Sequence, residues 1–74
     1  MEILNNIEVK KEGNDCLITE AVALIRINYD LYVVIHTDAV DGSWTGNPCD
    51  TYTYTFRDFS SAISRYNELC EKVN

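Results

Sequence analysis

The sequence predicts an α+β fold in which an antiparallel β-sheet of about four strands carries one C-terminal α-helix packed on one face. The end of the chain repeats apolar residues with helical spacing, the segment before it alternates strand-forming residues, and the remainder is rich in β-branched residues divided by short turn signals. The chain has 74 residues, which fits a single domain over positions 1–74 and is too short for a dinucleotide-binding fold or a barrel.

The C-terminal helix is predicted from Phe59 to Val73. Apolar side chains recur at the spacing of one helical stripe, and its members are Phe59, Ala62, Ile63, Tyr66, Leu69, Cys70 and Val73. Asp58 stands just before the stripe, where a carboxylate can accept the free N–H groups of the first turn. The stripe needs an apolar surface to pack on, and the sheet is the candidate.

Strands are predicted on both sides of a central hairpin. Residues 51–56 alternate strictly, so that Tyr52, Tyr54 and Phe56 share one face, which we expect to meet the helix. An earlier strand spans 6–11 and turns through 12–15 into a segment that begins at Cys16. The alternation leaves open whether residues 16–27 form one long strand or two shorter ones.

The central hairpin pairs residues 21–27 with residues 31–37 around the turn Asn28-Tyr29-Asp30. One face carries Ala23, Ile25, Ile27, Val33 and Ile35; the other carries Val22, Leu24, Arg26, Tyr32, Val34 and His36. We expect the second face to point outward, so that Val22, Leu24, Tyr32 and Val34 form an exposed apolar patch. Such a patch favours, as an alternative function, a small structural module that forms a homodimer through this face.

Charge is distributed unevenly along the chain. Twelve acidic and six basic residues give a net charge of −6, so a basic nucleic-acid footprint is absent and direct nucleic-acid binding is disfavoured. Residues 27–56 contain no lysine or arginine, and their acids are Asp30, Asp38, Asp41 and Asp50. Charge that only solvates a protein is usually mixed in sign. The single-sign stretch therefore favours an acidic surface that binds a protein partner.

The segment from Asp38 to Asp50 is predicted to be a long loop between two strands, and long loops in small domains are often functional. It contains the only tryptophan, Trp44, which either packs back on the sheet or anchors a partner. The candidate partner-binding residues are Asp30, Asp38, Asp41, Trp44, Asp50, Tyr52 and Tyr54.

Metal binding and catalysis are weakly supported by the sequence. His36, Asp38, Cys49 and Asp50 are the best candidate ligands, but their spacing fits no zinc or calcium pattern. A nucleophilic pair of Cys49 and His36 lacks a third, orienting group. We expect no metal, no cofactor, no catalytic residue and no enzymatic activity.

Cysteine usage and the N-terminal residues predict a cytoplasmic protein. The three cysteines are odd in number and form no CxxC pair, which is atypical of a disulfide framework. The first residues do not resemble a signal peptide, and no apolar run is long enough for a membrane span. We expect reduced thiols and no membrane association.

In its size and charge, in the base-free run Ile27–Phe56 and in the strand-to-capped-helix ending Tyr52–Val73, the chain resembles small phage-encoded inhibitors. Anti-CRISPR proteins are the best-known class of these inhibitors, and they share no common motif from which a residue role could be carried over. The resemblance implies a non-enzymatic inhibitor that acts in the cytoplasm of a bacterial host cell. Its partner would be a nucleic-acid-handling CRISPR-Cas effector complex, blocked by an acidic DNA mimic.

Overall fold

A computed structural model describes residues 1–13, 16–42 and 49–73 of the chain. Its elements are the strands β1 (Glu2–Gly13), β2 (Cys16–Asn28), β3 (Leu31–Gly42) and β4 (Cys49–Phe56), followed by the helix α1 (Phe59–Val73). The strands form one sheet in the order β1-β2-β3-β4, and each strand is antiparallel to the next. The predicted α+β fold, with four strands and one C-terminal helix, is confirmed.

The two central strands are longer than the sequence predicts. β2 is one continuous strand, and β3 extends to Gly42, which pairs with Cys16. Much of the predicted loop from Asp38 to Asp50 is therefore strand. The reason is that the far half of β2 supplies hydrogen-bonding partners for residues 38–42, whose backbone groups need them.

The turn between β2 and β3 follows the prediction. The backbone N–H of Asp30 donates a hydrogen bond of 3.1 Å to the side-chain oxygen of Asn28. This contact is typical of an Asx turn, in which the side chain takes the place of a backbone acceptor. The predicted turn at 12–15 includes residues 14 and 15, which lie outside the described part of the chain.

The core lies between the helix and the sheet face that was expected to be exposed. Its buried residues are Val22, Leu24 and Val34 from the sheet and Ala62, Tyr66, Leu69 and Val73 from the helix. The predicted outer patch of Val22, Leu24, Tyr32 and Val34 is therefore wrong, because three of these residues are buried and Tyr32 packs against them. Alternation shows which residues share a face, but both faces are apolar here, and alternation cannot show which one the helix covers.

Residue pairing explains why the helix takes this face. Tyr54 lies opposite Val34, and Phe56 lies opposite Tyr32, so the aromatic residues of β4 extend the same apolar surface. Tyr54 and Phe56 pack against the core, as the sequence predicts for the aromatic face. The opposite face, which we call the open face, carries Ala23, Ile25, Val33 and Ile35, with the threonines of β4 beside them.

The helix covers only part of the sheet. Fifteen residues give a helix about 22 Å long, whereas the molecule is 44 Å in its longest dimension. The helix begins next to Phe56, where the rings of Tyr32 and Phe59 meet edge to face at 5.8 Å. The helix-side surface therefore continues past the helix toward the end of the sheet at Cys16 and Gly42. Among the described residues, no helix is long and apolar enough to cross a membrane.

Candidate functional site

Three carboxylates lie side by side on the helix-side face of the sheet. Glu20 of β2 pairs with Asp38 of β3, and Asp38 pairs with Asp50 of β4. Directly paired residues point to the same face, and adjacent strands lie about 4.8 Å apart. The three side chains thus cross about 10 Å of surface as one line, which we call the acidic row. The row lies about 20 Å along the strands from the pair Tyr32 and Phe56.

The acidic row is costly for the sheet, because like charges directly opposite each other destabilise neighbouring strands. One cation relieves part of this cost: the Lys11 ammonium lies 3.8 Å from a Glu20 carboxylate oxygen. Asp50 is exposed, and Asp38 is half-buried. A surface that needed only solubility would not require this arrangement.

Asp38, in the centre of the row, and His36, two residues before it, each have an unsatisfied polar atom. Within the described residues, neither Nε2 of His36 nor Oδ1 of Asp38 has a hydrogen-bond partner, although both atoms are buried. The His36 ring stacks on that of Tyr52, with 5.8 Å between the centroids and 29° between the planes. This contact holds Tyr52 beside the acidic row and on the same face as Asp50.

Two predicted acidic residues do not join the row. Asp41 pairs with Leu17, an odd position of β2, and therefore faces the open side. Asp30 lies at the opposite end of the sheet, where its carboxylate accepts a hydrogen bond of 3.3 Å from Arg57. A single surface made of all four aspartates was implied by the base-free run, and the strand geometry does not form it.

The two tyrosine candidates differ in environment. Tyr52 is 49% exposed. Tyr54 is half-buried against the core and lies beneath the Arg65 guanidinium, whose carbon is 5.0 Å from the ring centroid. Tyr52 is thus the more accessible of the two for a partner, and Tyr54 is committed to the helix. Trp44, the remaining candidate, lies outside the described residues.

Glu20 was missed by the sequence reasoning. It precedes Val22 and Leu24 by two and four residues, so alternation alone places it on their face. Its position beside Asp38 depends on the register between β2 and β3, which extends beyond the predicted hairpin. A longer predicted hairpin would have revealed the row.

Lys11 of β1 contacts the row at Glu20, and β3 and β4 supply no base of their own. Lys10 and Lys11 belong to β1, and Arg26 sits at the end of β2, 2.6 Å from Glu2. The other bases follow β4. β3 and β4 contain no lysine or arginine, so every carboxylate or ammonium charge in this half of the sheet is negative.

The predicted catalytic and metal alternatives gain no geometric support. Cys49 pairs with Ala39 and faces the open side, whereas His36 is on the helix side, so the sheet separates this pair. The described residues include no group of three or more histidine, cysteine, aspartate or glutamate side chains that could hold a metal ion. A shallow depression of about 390 Å³ near the start of the helix is lined by serines and by Asp58, Arg65 and Glu68.

Comparison with protein-family models, with curated proteins and with solved structures found no match.

Proposed function

We propose that this chain is a non-enzymatic inhibitor that binds a nucleic-acid-handling complex, of the kind formed by CRISPR-Cas effectors, and blocks its access to nucleic acid. The acidic row of Glu20, Asp38 and Asp50 is the observation that carries this proposal. The site of action would be the cytoplasm of a bacterial host cell, where such effectors work.

The mechanism is substitution of carboxylates for phosphates. Effector complexes hold nucleic acid in channels lined by lysine and arginine, which bind a line of negative charge. The acidic row presents such a line across three paired strands, and the absence of bases from β3 and β4 leaves its field uncompensated on that side. Long-range attraction would accelerate association and make it sensitive to salt.

Tyr52 would supply the short-range part of the affinity. Its ring is half-exposed, is held in place by His36 and lies next to Asp50 on the same face. Exposed carboxylates contribute little affinity by themselves, because water already solvates them well, whereas a preordered aromatic ring buries a large apolar area. The combination gives both steering and a contact that persists at high salt.

The repulsion between the paired carboxylates of the row argues against a role in solubility alone. A net charge of −6 could be reached with acids dispersed over the surface, with no like-charged neighbours across strands. The row places two such neighbouring pairs in one line. An arrangement that opposes folding yet concentrates charge is what a charge-recognition site requires.

The test is inhibition of DNA binding by purified guide-loaded CRISPR effectors of several types, followed by fluorescence anisotropy of a labelled target duplex. We expect the protein to displace DNA from at least one effector and to do so less well as salt rises. The double variant Glu20→Gln/Asp50→Asn should weaken this inhibition at least tenfold, because it neutralises two members of the row with little change in shape.

The matched control is Glu8→Gln/Glu12→Gln, which makes the same change in net charge on the exposed side chains of β1. It should inhibit like the unmodified protein. Equal loss in both double variants would show that net charge, and not the row, governs binding. Failure to displace DNA from any effector in the panel would contradict the proposed function.

A further inference from the structure

The two edges of the sheet differ in how they are protected. β1, at one edge, carries Lys10 and Lys11 and has an irregular register at Leu4, and both features discourage another strand from pairing. β4, at the other edge, contains no lysine, arginine or proline, and all eight of its residues pair in unbroken register with β3. Within the described residues no other strand pairs with its outer edge, and such an edge is the usual template for strand addition.

We propose that β4 pairs with β4 of a second copy of this chain, antiparallel, to form a homodimer with a continuous eight-stranded sheet. An antiparallel pair of identical strands is self-complementary, as a two-fold interface requires. The sequence analysis suggested a homodimer through the face of Val22 and Leu24, and the helix covers that face. The edge of β4 offers a different contact that leaves the core intact.

The sequence of β4 suits a register centred on Thr53. In that register Thr51 lies opposite Thr55 of the second copy, and Tyr52 lies opposite Tyr54 of the second copy. Cross-strand threonine pairs and aromatic pairs are both stabilising. The threonines would meet on the open face and the tyrosines on the helix side, because odd and even positions of β4 face opposite ways.

Charge complementarity favours a second copy as the occupant. β4 has an acid, Asp50, near its start, and Arg57 directly follows its end. Antiparallel pairing places Asp50 opposite Phe56 of the second copy and next to Arg57 of that copy. The Arg57 side chain is 78% exposed, and in the dimer it would exchange its contact with Asp30 for a contact with Asp50 of the second copy. Two opposite-charge contacts, one at each end, would fix the strand direction.

The helices do not obstruct this dimer. The two-fold axis would run perpendicular to the sheet, so both helices would lie on the same side. The buried sheet residues under the helix belong to β2 and β3, about two strand spacings from the axis, so the two helices would lie about 19 Å apart, whereas a helix with its side chains is about 10 Å wide. A shared sheet would also add burial to a chain whose size gives a small core.

The test is the mass in solution of the full chain, measured by sedimentation equilibrium over a concentration series. We expect the mass to rise from 8.5 kDa to twice that value with concentration. Thr53→Lys and Thr53→Glu should each stay at 8.5 kDa, because the substituted residue would face its own like charge across the axis. An equimolar mixture of the two variants should recover the doubled mass.

Asn6→Lys is the matched control, since Asn6 is an exposed residue of the other edge strand, on the open face. It should associate like the unmodified chain, and circular dichroism should show that every variant is folded. A mass of 8.5 kDa at all concentrations, or association of Thr53→Lys alone, would overturn the proposal. A mixture that fails to associate would also overturn it. Thr53 lies on the face away from the acidic row, so DNA displacement by the monomeric Thr53→Lys variant tests the proposed function separately from the dimer.

Discussion

The Arg65 guanidinium of the helix lies over the Tyr54 ring, 5.0 Å from its centroid, and joins the helix to the edge strand. Tyr52, two residues earlier on the same face of β4, contacts His36 and remains 49% exposed. Two tyrosines that the sequence makes equivalent thus have separate roles: Tyr54 contributes to the fold, and Tyr52 is available to a partner.

This difference predicts opposite effects of two alanine substitutions. Tyr54→Ala removes the cation–π contact and part of the packing on the core, and should lower the free energy of unfolding by about 2 kcal/mol. Tyr52→Ala should change stability by less than about 1 kcal/mol and weaken inhibition of the effector. Urea denaturation and the DNA-displacement assay measure the two effects. An equal loss of stability in both variants would contradict the assignment.

The location of the core predicts a large difference between two leucines of β2. Leu24 is 1% exposed beneath the helix, whereas Leu17 is 37% exposed on the open face. Leu24→Ala should cost about 2–5 kcal/mol, because it leaves a cavity in the core. Leu17→Ala should cost less than about 1 kcal/mol. Chemical denaturation of both variants checks this, and similar costs would place the helix on the wrong face.

Burial raises the pKa of Tyr66 to about 12, and its hydrogen bond and charge interaction with Cys70 act in the same direction. The folded state therefore keeps the Tyr66 proton when the unfolded state begins to lose it near pH 10. The associated stability is fully present below about pH 10 and is lost as pH rises through about 12. Tyr66→Phe should flatten the alkaline fall in melting temperature, and Tyr29→Phe, at a residue 89% exposed, should not.

Asp58 caps the helix, and its acid dependence follows from that role. The backbone N–H of Ser61 donates a 2.8 Å hydrogen bond to the Asp58 carboxylate and lowers the pKa of that carboxyl group. The stabilisation is present above the ordinary aspartate pKa and is lost as pH falls through the lowered value. Asp58→Ala should reduce the melting temperature at neutral pH and differ less from the unmodified chain in acid. A constant difference across pH would argue against the charged cap.

Gly13 and Cys16, which are paired where β1 ends and β2 begins, should show coupled effects when both are substituted. A Cβ atom added at Gly13 would lie 2.8 Å from the Sγ atom of Cys16, its partner in the sheet. Gly13→Ala should therefore destabilise the fold by about 1 kcal/mol, and the double variant Gly13→Ala/Cys16→Ala should recover part of that loss. A double-mutant cycle measures the coupling, and additive effects would show that the contact is relieved in another way.

Local signals were sufficient to predict the helix and the strand alternation. The stripe from Phe59 to Val73 and the cap at Asp58 depend on neighbours within one or two turns, so the helix bounds agree with the structure. The faces of the hairpin were also correct as sets. The choice between those faces was wrong, because Ile25 and Val33 on one face are as apolar as Leu24 and Val34 on the other.

The candidate site depends on longer-range geometry, and the sequence predicted it only in part. Asp38 and Asp50 lie at the two ends of a thirteen-residue segment, and the pairing of β3 with β4 brings them together. Asp41 lies at an odd position of β3 and faces the opposite side of the sheet, and Asp30 lies at the other end of the sheet. Charge counting could not separate them. Glu20 entered the row through the pairing of β2 with β3, which no local pattern encodes.

The limited reach of the helix has a consequence for motion. Strands next to Leu24 and Val34 are held by packing as well as by hydrogen bonds, whereas the paired residues Cys16 and Gly42 lie at the far end of the sheet. Local opening costs less where few apolar contacts must be broken. Amide hydrogens should therefore exchange with solvent faster toward that end of β2 and β3 than at their centres. The acidic row lies between the packed centre of the sheet and this more easily opened end. At that position the surface can adjust to a partner without unfolding the core.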